Sequence, residues 1–259
     1  MYRFWGVFRY EYCMAIKRWG FWLACLLINI VIFVNIFSFD QSDIQLLSDP
    51  LQIWQTAGRN AYWLNFFLPV VAGITIADRL VRDRQLKIAE LFNSTPLSRS
   101  SYLTGKFLAA LFSALTPVLV ILLLEDICFL ARGVPLTFVW TSLLAFLAIN
   151  VPAFAFLTAF SLACPVILPV RVYQVLFTGY WFWGNFLNPD VFPTLHGTLL
   201  TASGQFALAG FFHGASELQS YLVPQARIDA LANIAVLGIC IFLVMVLLNQ
   251  FLAWQSRRM

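Results

Sequence analysis

Between Ala232 and Ala253 the chain carries no charged residue, and Trp19–Phe39, Ala61–Ala77 and Phe138–Ala163 share that character. A helix of about 20 residues crosses the roughly 30 Å of bilayer hydrocarbon, so continuously apolar runs of this length leave few folds open. Two more runs are interrupted only near one end, Phe107–Leu130 by Glu125-Asp126 and Val170–Leu187 by Arg171. A transmembrane barrel would show short segments of strict alternation instead. Residues that are 61% hydrophobic and 11% charged also exclude an ordinary soluble domain, where about a quarter are charged. The fold expected is an all-α polytopic membrane protein, one transmembrane domain over residues 1–259 with six transmembrane helices.

Charge sets the orientation of these spans. Lys and Arg are the residues whose translocation is disfavoured, so basic loops remain cytoplasmic. All sixteen Lys and Arg except Arg59, Arg132 and Arg227 fall on one side of a six-span arrangement. Both termini are basic, through Arg3 and Arg9 at one end and Arg257-Arg258 at the other. Both are therefore expected in the cytoplasm, which requires an even number of crossings. Residues 188–231 form an extracytoplasmic hairpin region, in which the apolar piece Gln205–Tyr221 enters the outer leaflet and returns or lies on the surface. The N-terminal stretch Met1–Gly20, with an interfacial helix expected over 1–18, places Trp5, Phe8, Tyr12, Ile16 and Trp19 on one helical face and Arg3 and Lys17 on the other. That pattern suits a helix lying in the lipid interface, with a frayed basic tail as the alternative.

Little in the chain speaks for catalysis. Five widely spaced cysteines and two histidines form neither a disulfide framework nor a zinc site. The Gly105-Lys106 pair has Ser100 and Phe107 where a phosphate-binding loop needs Gly and Ser/Thr, so no nucleotide cofactor is expected on this chain. The net charge of +4 is spread over loops and tails, which is no nucleic-acid footprint. His213 and Glu217 stand four apart and would share one face of a helix, either as an acid/base pair or as a bond within the outer hairpin. Glu125 and Asp126 at the end of the third span suit an acidic pathway mouth, or simply carboxylates that reach water. Asn29 and Asn35 are polar groups in the first span, expected to face another helix or a wet cavity.

The longest polar run lies between the second and third spans: DRLVRDRQLKIAELFNSTPLSRSSYLTGK, Asp78 to Lys106. Six basic residues place it in the cytoplasm. Leu80, Arg84, Ile88, Leu91 and Phe92 follow helical spacing, and no Gly or Pro breaks the chain from Ile74 to Thr95. Pro96 ends that helix, and Thr95 caps a second one with Pro96 in its first position. Leaving the membrane as one helix and returning as another makes a docking surface.

Within this loop, Asp83-Arg84-Gln85, Glu90-Leu91-Phe92, Ser94-Thr95-Pro96-Leu97-Ser98-Arg99 and Tyr102-Leu103-Thr104-Gly105-Lys106 resemble the inner loop of ABC-2-type transporter permeases. Phe92 stands where a leucine is common. The rest of the chain resembles the family in architecture, with an amphipathic N-terminal helix, six spans and a hairpin before the last. The resemblance implies a permease subunit in the cytoplasmic membrane of a prokaryote, in contact with membrane lipid and paired with a separate ABC ATPase that holds ATP and Mg. Two permeases, identical or paralogous, would join two ATPases to export a substrate. The cytoplasmic loop, 79–106, would carry the coupling helix, over about Asp83 to Asn93. Asp83, Arg84, Leu86, Lys87, Glu90, Leu91, Phe92, Thr95, Pro96 and Arg99 would then meet the ATPase. In the family the pathway follows the first, second and fifth spans, which nominates Asn29, Asn35, Tyr180 and Trp183 as lining. Two other readings stay open from the residues alone: an intramembrane enzyme at His213 and Glu217, and a stand-alone channel or secondary carrier.

Overall fold

The computed structural model describes residues 2–37, 47, 49–86, 98–214 and 227–255, and every regular element among them is helical. In order these are α1 (Tyr2–Ile16), α2 (Trp19–Phe37), α3 (Pro50–Ile76), α4 (Arg79–Gln85), α5 (Arg99–Ala131), α6 (Thr137–Ala145), α7 (Val151–Ala163), α8 (Val170–Phe186), α9 (Gln205–Phe212) and α10 (Arg227–Gln255). A π-helical turn, Phe146–Asn150, joins α6 to α7. It lies directly before Pro152, whose missing N–H cannot continue the helical ladder; a π-turn shifts the register past that gap.

Four helical stretches are long and apolar enough to cross a membrane: Pro50–Asp83, Arg99–Ala131, Thr137–Val166 and Arg227–Gln255. Phe4–Ile16 and Trp19–Ile30 together pass as a fifth, bent by 58° between them. Helix α8, with 17 residues, sits at the short limit for a span. The helical segments thus follow the apolar runs, and by length and composition they make four to five spans. Two of them overshoot the bilayer. At 1.5 Å per residue, the 33 residues of α5 extend about 50 Å, well beyond the roughly 30 Å of hydrocarbon, and its polar first turns form a foot.

Helix starts follow side-chain chemistry. Asp49 is extended (ψ 127°), accepts from Leu51 N at 3.4 Å and precedes Pro50 in the first turn of α3. The cap of α5 is Ser98, extended at ψ 142° and accepting from Ser101 N at 3.3 Å. This corrects the expected start at Thr95-Pro96: an extended Ser98 prevents any helix begun there from running into α5. Thr95 and Pro96 themselves lie outside the described residues, as do Lys87, Glu90, Leu91 and Phe92.

One large apolar core joins α2, α3, α5, α7, α8 and α10. Helix α8 turns Tyr173, Phe177 and Trp181 into it. It approaches α3 closely because position 73 is glycine; a Cβ there would lie 2.2 Å from Phe177 Cε1. Helix α9 is almost wholly buried and packs against α3, α10 and the π-turn. Its eight residues span about 12 Å, too short to cross, and the part of the expected Gln205–Tyr221 piece beyond Gly214 lies outside the described residues.

Candidate functional site

The foot of α5 is where sequence-distant charges meet. Contacts climb α1 and α5 together, with Phe4 and Val7 at Gly105, Phe8 against Phe112, and Tyr12 OH 3.0 Å from Thr116 Oγ1. The two helices therefore run side by side in one direction. The face of α1 that packs comprises Phe4, Val7, Phe8, Glu11, Tyr12 and Ala15, while Trp5 and Trp19 are exposed by 61% and 79%. The aromatic stripe read from the sequence is thus split: Phe8 and Tyr12 pack on α5, and the two tryptophans face outward.

Glu11 brings a carboxylate into that packed face, where it is only 7% exposed. Its partner is Lys106, fully buried, with Nζ donating to Glu11 Oε1 at 2.9 Å. The same ammonium donates to Asp83 Oδ2 on α4, and Tyr102 OH donates to that oxygen as well. Lys106 Nζ also sits 5.6 Å from the centroid of the Tyr102 ring. One lysine on α5 therefore holds two carboxylates, from α1 and from α4. Arg79, also buried, donates to Ser113 Oγ at 3.1 Å and lies within electrostatic reach of Glu11 and Asp78. A half-exposed pair, Arg18–Asp78 at 3.7 Å, marks the bend between α1 and α2. Trp22 Nε1 donates to Ile16 O across the same bend at 2.8 Å.

These contacts place several residues of the expected loop surface. Asp83 turns inward to Lys106 and Tyr102 rather than outward. Leu86 is 61% exposed where α4 ends, and Arg99 opens α5. Arg84 lies on α4, one residue beyond Asp83.

About 20 Å along α3 from Arg79, a second polar group contains no charge. Asn65 Nδ2 donates to Ile149 O at 3.1 Å and Ser203 O at 3.0 Å, while Asn150 Nδ2 donates to Asn65 Oδ1 at 2.8 Å and Ala61 O at 2.9 Å. Trp181 Nε1 donates to Asn65 O at 3.3 Å. Asn185 accepts from Ala202 N at 2.8 Å, and Asn233 donates to Leu199 O and Thr201 O, both at 2.9 Å. Carbonyls freed by the π-turn and by the loop before α9 are thus taken up by amide side chains. Gly204, at φ 90°, makes the turn into α9, where a Cβ would meet Ile149 Cγ2 at 2.5 Å. His196 Nδ1 donates to Asn185 O at 2.6 Å; burial holds its pKa below the ordinary histidine value, and the Asn185 carbonyl opposes that shift.

The remaining candidates separate. Glu125 and Asp126 are buried, at 0% and 2% exposure, so they do not reach water as span-end carboxylates would. Neither oxygen of Glu125 finds a hydrogen-bond partner among the described residues. Helix α9 stops at Phe212, and His213 turns left-handed at φ 50°, so the helical face meant to unite it with Glu217 ends too early. Glu217 lies outside the described residues. Asn29 is buried, and its Nδ2 donates within its own helix, to Cys25 O at 2.7 Å. Asn35 lies near the end of α2. On α8, Tyr180 is half-buried and Trp183 is 40% exposed. No group of three or more His, Cys, Asp or Glu among the described residues is placed to hold a metal ion.

The charged junction passed unnoticed in the sequence because Glu11 looked like one polar residue in an aromatic helix. Asn65 and Asn150 did carry a signal, being amides inside apolar runs, the feature that singled out Asn29. A comparison with protein families finds that residues 5–248 match the model described as "ABC-2 family transporter protein". A search of curated proteins finds no match.

Proposed function

The chain belongs to the ABC-2 transporter family, and from that premise we propose that it couples ATP hydrolysis on a separate ATPase to export of a substrate. It is a multi-pass membrane protein and a transporter permease, not an enzyme in its own right. In the proposed arrangement α2, α3, α5, α6 with α7, α8 and α10 make six spans, with both termini in the cytoplasm of a prokaryote. The ATPase carries ATP and Mg, and a second permease, the same chain or a paralogue, completes a pair of each subunit. The loop from Leu86 to Ser98 meets the ATPase, with Glu90, Leu91 and Phe92 at the contact.

The observation that carries this reading is the build of the loop's two ends. Both emerge from helices longer than the hydrocarbon is thick, α3 with α4 on one side and α5 on the other. Lys106 and Asp83 tie those ends together, so a push on the loop reaches two spans at once instead of bending a free linker. Trp183, exposed on α8, is the better placed of the two aromatic candidates to meet cargo or lipid.

Co-purification with an ATPase tests the reading. Glu90→Lys and Phe92→Ala should each lose the ATPase from the purified permease while the thermal transition of the membrane domain is unchanged. Full retention of ATPase and of its nucleotide turnover in both variants would count against the proposal.

A further inference from the structure

We propose that the N-terminal helix α1 belongs to the moving part of the transporter, with Lys106 as the positioning residue that makes it so. This rests on the permease reading above. It adds a second route by which motion of the loop enters the membrane, through α1 into α2.

Three observations carry it. First, α1 is bonded to the loop ends rather than laid loosely beside the bundle: Lys106 holds Glu11 of α1 and Asp83 of α4 with one ammonium. Two carboxylates from separate segments on one buried cation cannot drift apart independently, because separation strands a charge where no water replaces the lost partner. Second, the packing under the ion pairs is continuous from Phe4 and Val7 at Gly105 to Tyr12 at Thr116. This makes α1 and the foot of α5 one packed block, to which α4 is tied by Asp83 on Lys106 and Tyr102 and by Arg79 on Ser113. Third, the exit from that block is a defined bend. Helices α1 and α2 meet at 58°, with Trp22 clamped to Ile16 O and Arg18 on Asp78. A displacement of the block is therefore delivered to the start of α2 at one corner, while α3 and α5 receive it along their own axes.

The geometry also says why a lysine is used. A buried apolar contact would hold α1 on α5 alone. An ammonium has three donors, and here it joins three segments through one point. Exposed Leu86, at the end of the block, is where an outside push is applied.

Spin labels test the proposal on the full chain in complex with the ATPase that co-purifies with it. Cys13 is exposed on α1 and serves as one label site, with the other four cysteines replaced. Leu144→Cys, at an exposed position of α6, supplies a reference, and Leu86→Cys reports the loop. Trapping with ATP and vanadate should shift the distances from residue 13 and from residue 86 to residue 144 together, by a few ångströms. Between 13 and 86 the distance should stay constant. In Glu11→Gln, which keeps Lys106 paired to Asp83, the 13–86 distribution should broaden and the shift at 13 should shrink while that at 86 persists. Movement at 86 with none at 13 in the unaltered chain overturns the role of α1 and leaves the permease reading intact. No movement at either site, with nucleotide trapped on the bound ATPase, overturns both. Equal shifts at both sites in Glu11→Gln would remove the role assigned to the ion pair.

Discussion

The loop end of the bundle is held by charges and the opposite half by neutral amides, although both regions solve the same problem of joining segments far apart in sequence. At the foot of α5, Lys106 pairs with Glu11 and Asp83. Around the π-turn, Asn65, Asn150, Asn185 and Asn233 bind backbone carbonyls and one another. The difference follows from depth. The charged junction stands in the first eight residues of α5 and at the end of the α3–α4 stretch, at the tips of helices longer than the hydrocarbon is thick, where the helices themselves close over its ions. Asn65 and Asn150 sit within apolar spans, where a full charge would be far more expensive and an amide suffices to satisfy a freed carbonyl. The charged end is thus the one built to be sensitive to the loss of a single group.

The largest expected effect is at that end. Lys106→Met leaves Glu11 and Asp83 buried without their cation and should destabilise the protein by about 3–5 kcal/mol. It would be seen as a lowered thermal midpoint or loss of folded protein in detergent. The triple replacement Glu11→Gln, Asp83→Asn and Lys106→Met removes the charges together and should recover most of that loss. A triple variant no better than the single one would show that stranded charge is not the cause, and the contrast between the two ends would dissolve.

Asn65→Leu comes next. It removes the acceptor of Asn150 and the donor to Ile149 O and Ser203 O, leaving buried polar groups unsatisfied at about 1–3 kcal/mol each. Hydrogen exchange should rise in the loop before α9 first, with little change at the foot of α5. Equal loosening at both ends would mean that the two polar groups do not act separately.

How much of this was legible in the sequence depends on the physics involved. The apolar runs foretold the helices because continuous hydrophobicity is a local signal that no tertiary partner needs to complete. The family was legible through residues such as Ser94-Thr95-Pro96 and Gly105-Lys106. The partner of Lys106 was not: Glu11 is 95 residues away, and nothing in its own helix marks it as the buried one. The helical face read for His213 and Glu217 does not include His213, because helical spacing was applied across a helix end; Glu217 lies outside the described residues. Gly214 is the kind of residue that follows such an end and was the available warning. For α5, Thr95 and Ser98 are both capping residue types, and the role falls to Ser98, extended at ψ 142°.

Glu125→Gln sharpens the comparison from the other side. Its carboxyl is buried beside Asp126 and without a hydrogen-bond partner among the described residues, in the half of the molecule whose cross-links are neutral amides. A neutral amide of the same shape should therefore fold with an unchanged or raised thermal midpoint, whereas Glu125→Lys should fold poorly. A midpoint lowered in Glu125→Gln by as much as in Lys106→Met would mean that this carboxylate serves a charged partner, and the neutral half would no longer be neutral.

The smallest effect expected is a pH slope confined to the amide-held half. His196 is buried and donates from Nδ1 to Asn185 O, and its pKa lies below the ordinary value of about 6.5. Between the folded and unfolded pKa values the unfolded chain therefore binds a proton that the folded one does not. Stability is fully present above about pH 6.5 and declines as the pH falls from there toward the lower, folded-state pKa. Thermal midpoints between pH 8 and pH 5.5 should fall on the acid side, and His196→Gln should flatten that part of the curve. An identical acid slope in His196→Gln would assign the proton uptake elsewhere. Combining His196→Gln with the neutral triple at the foot then tells which end answers to acid: a slope that persists in the triple and vanishes only with His196 keeps the two regions distinct.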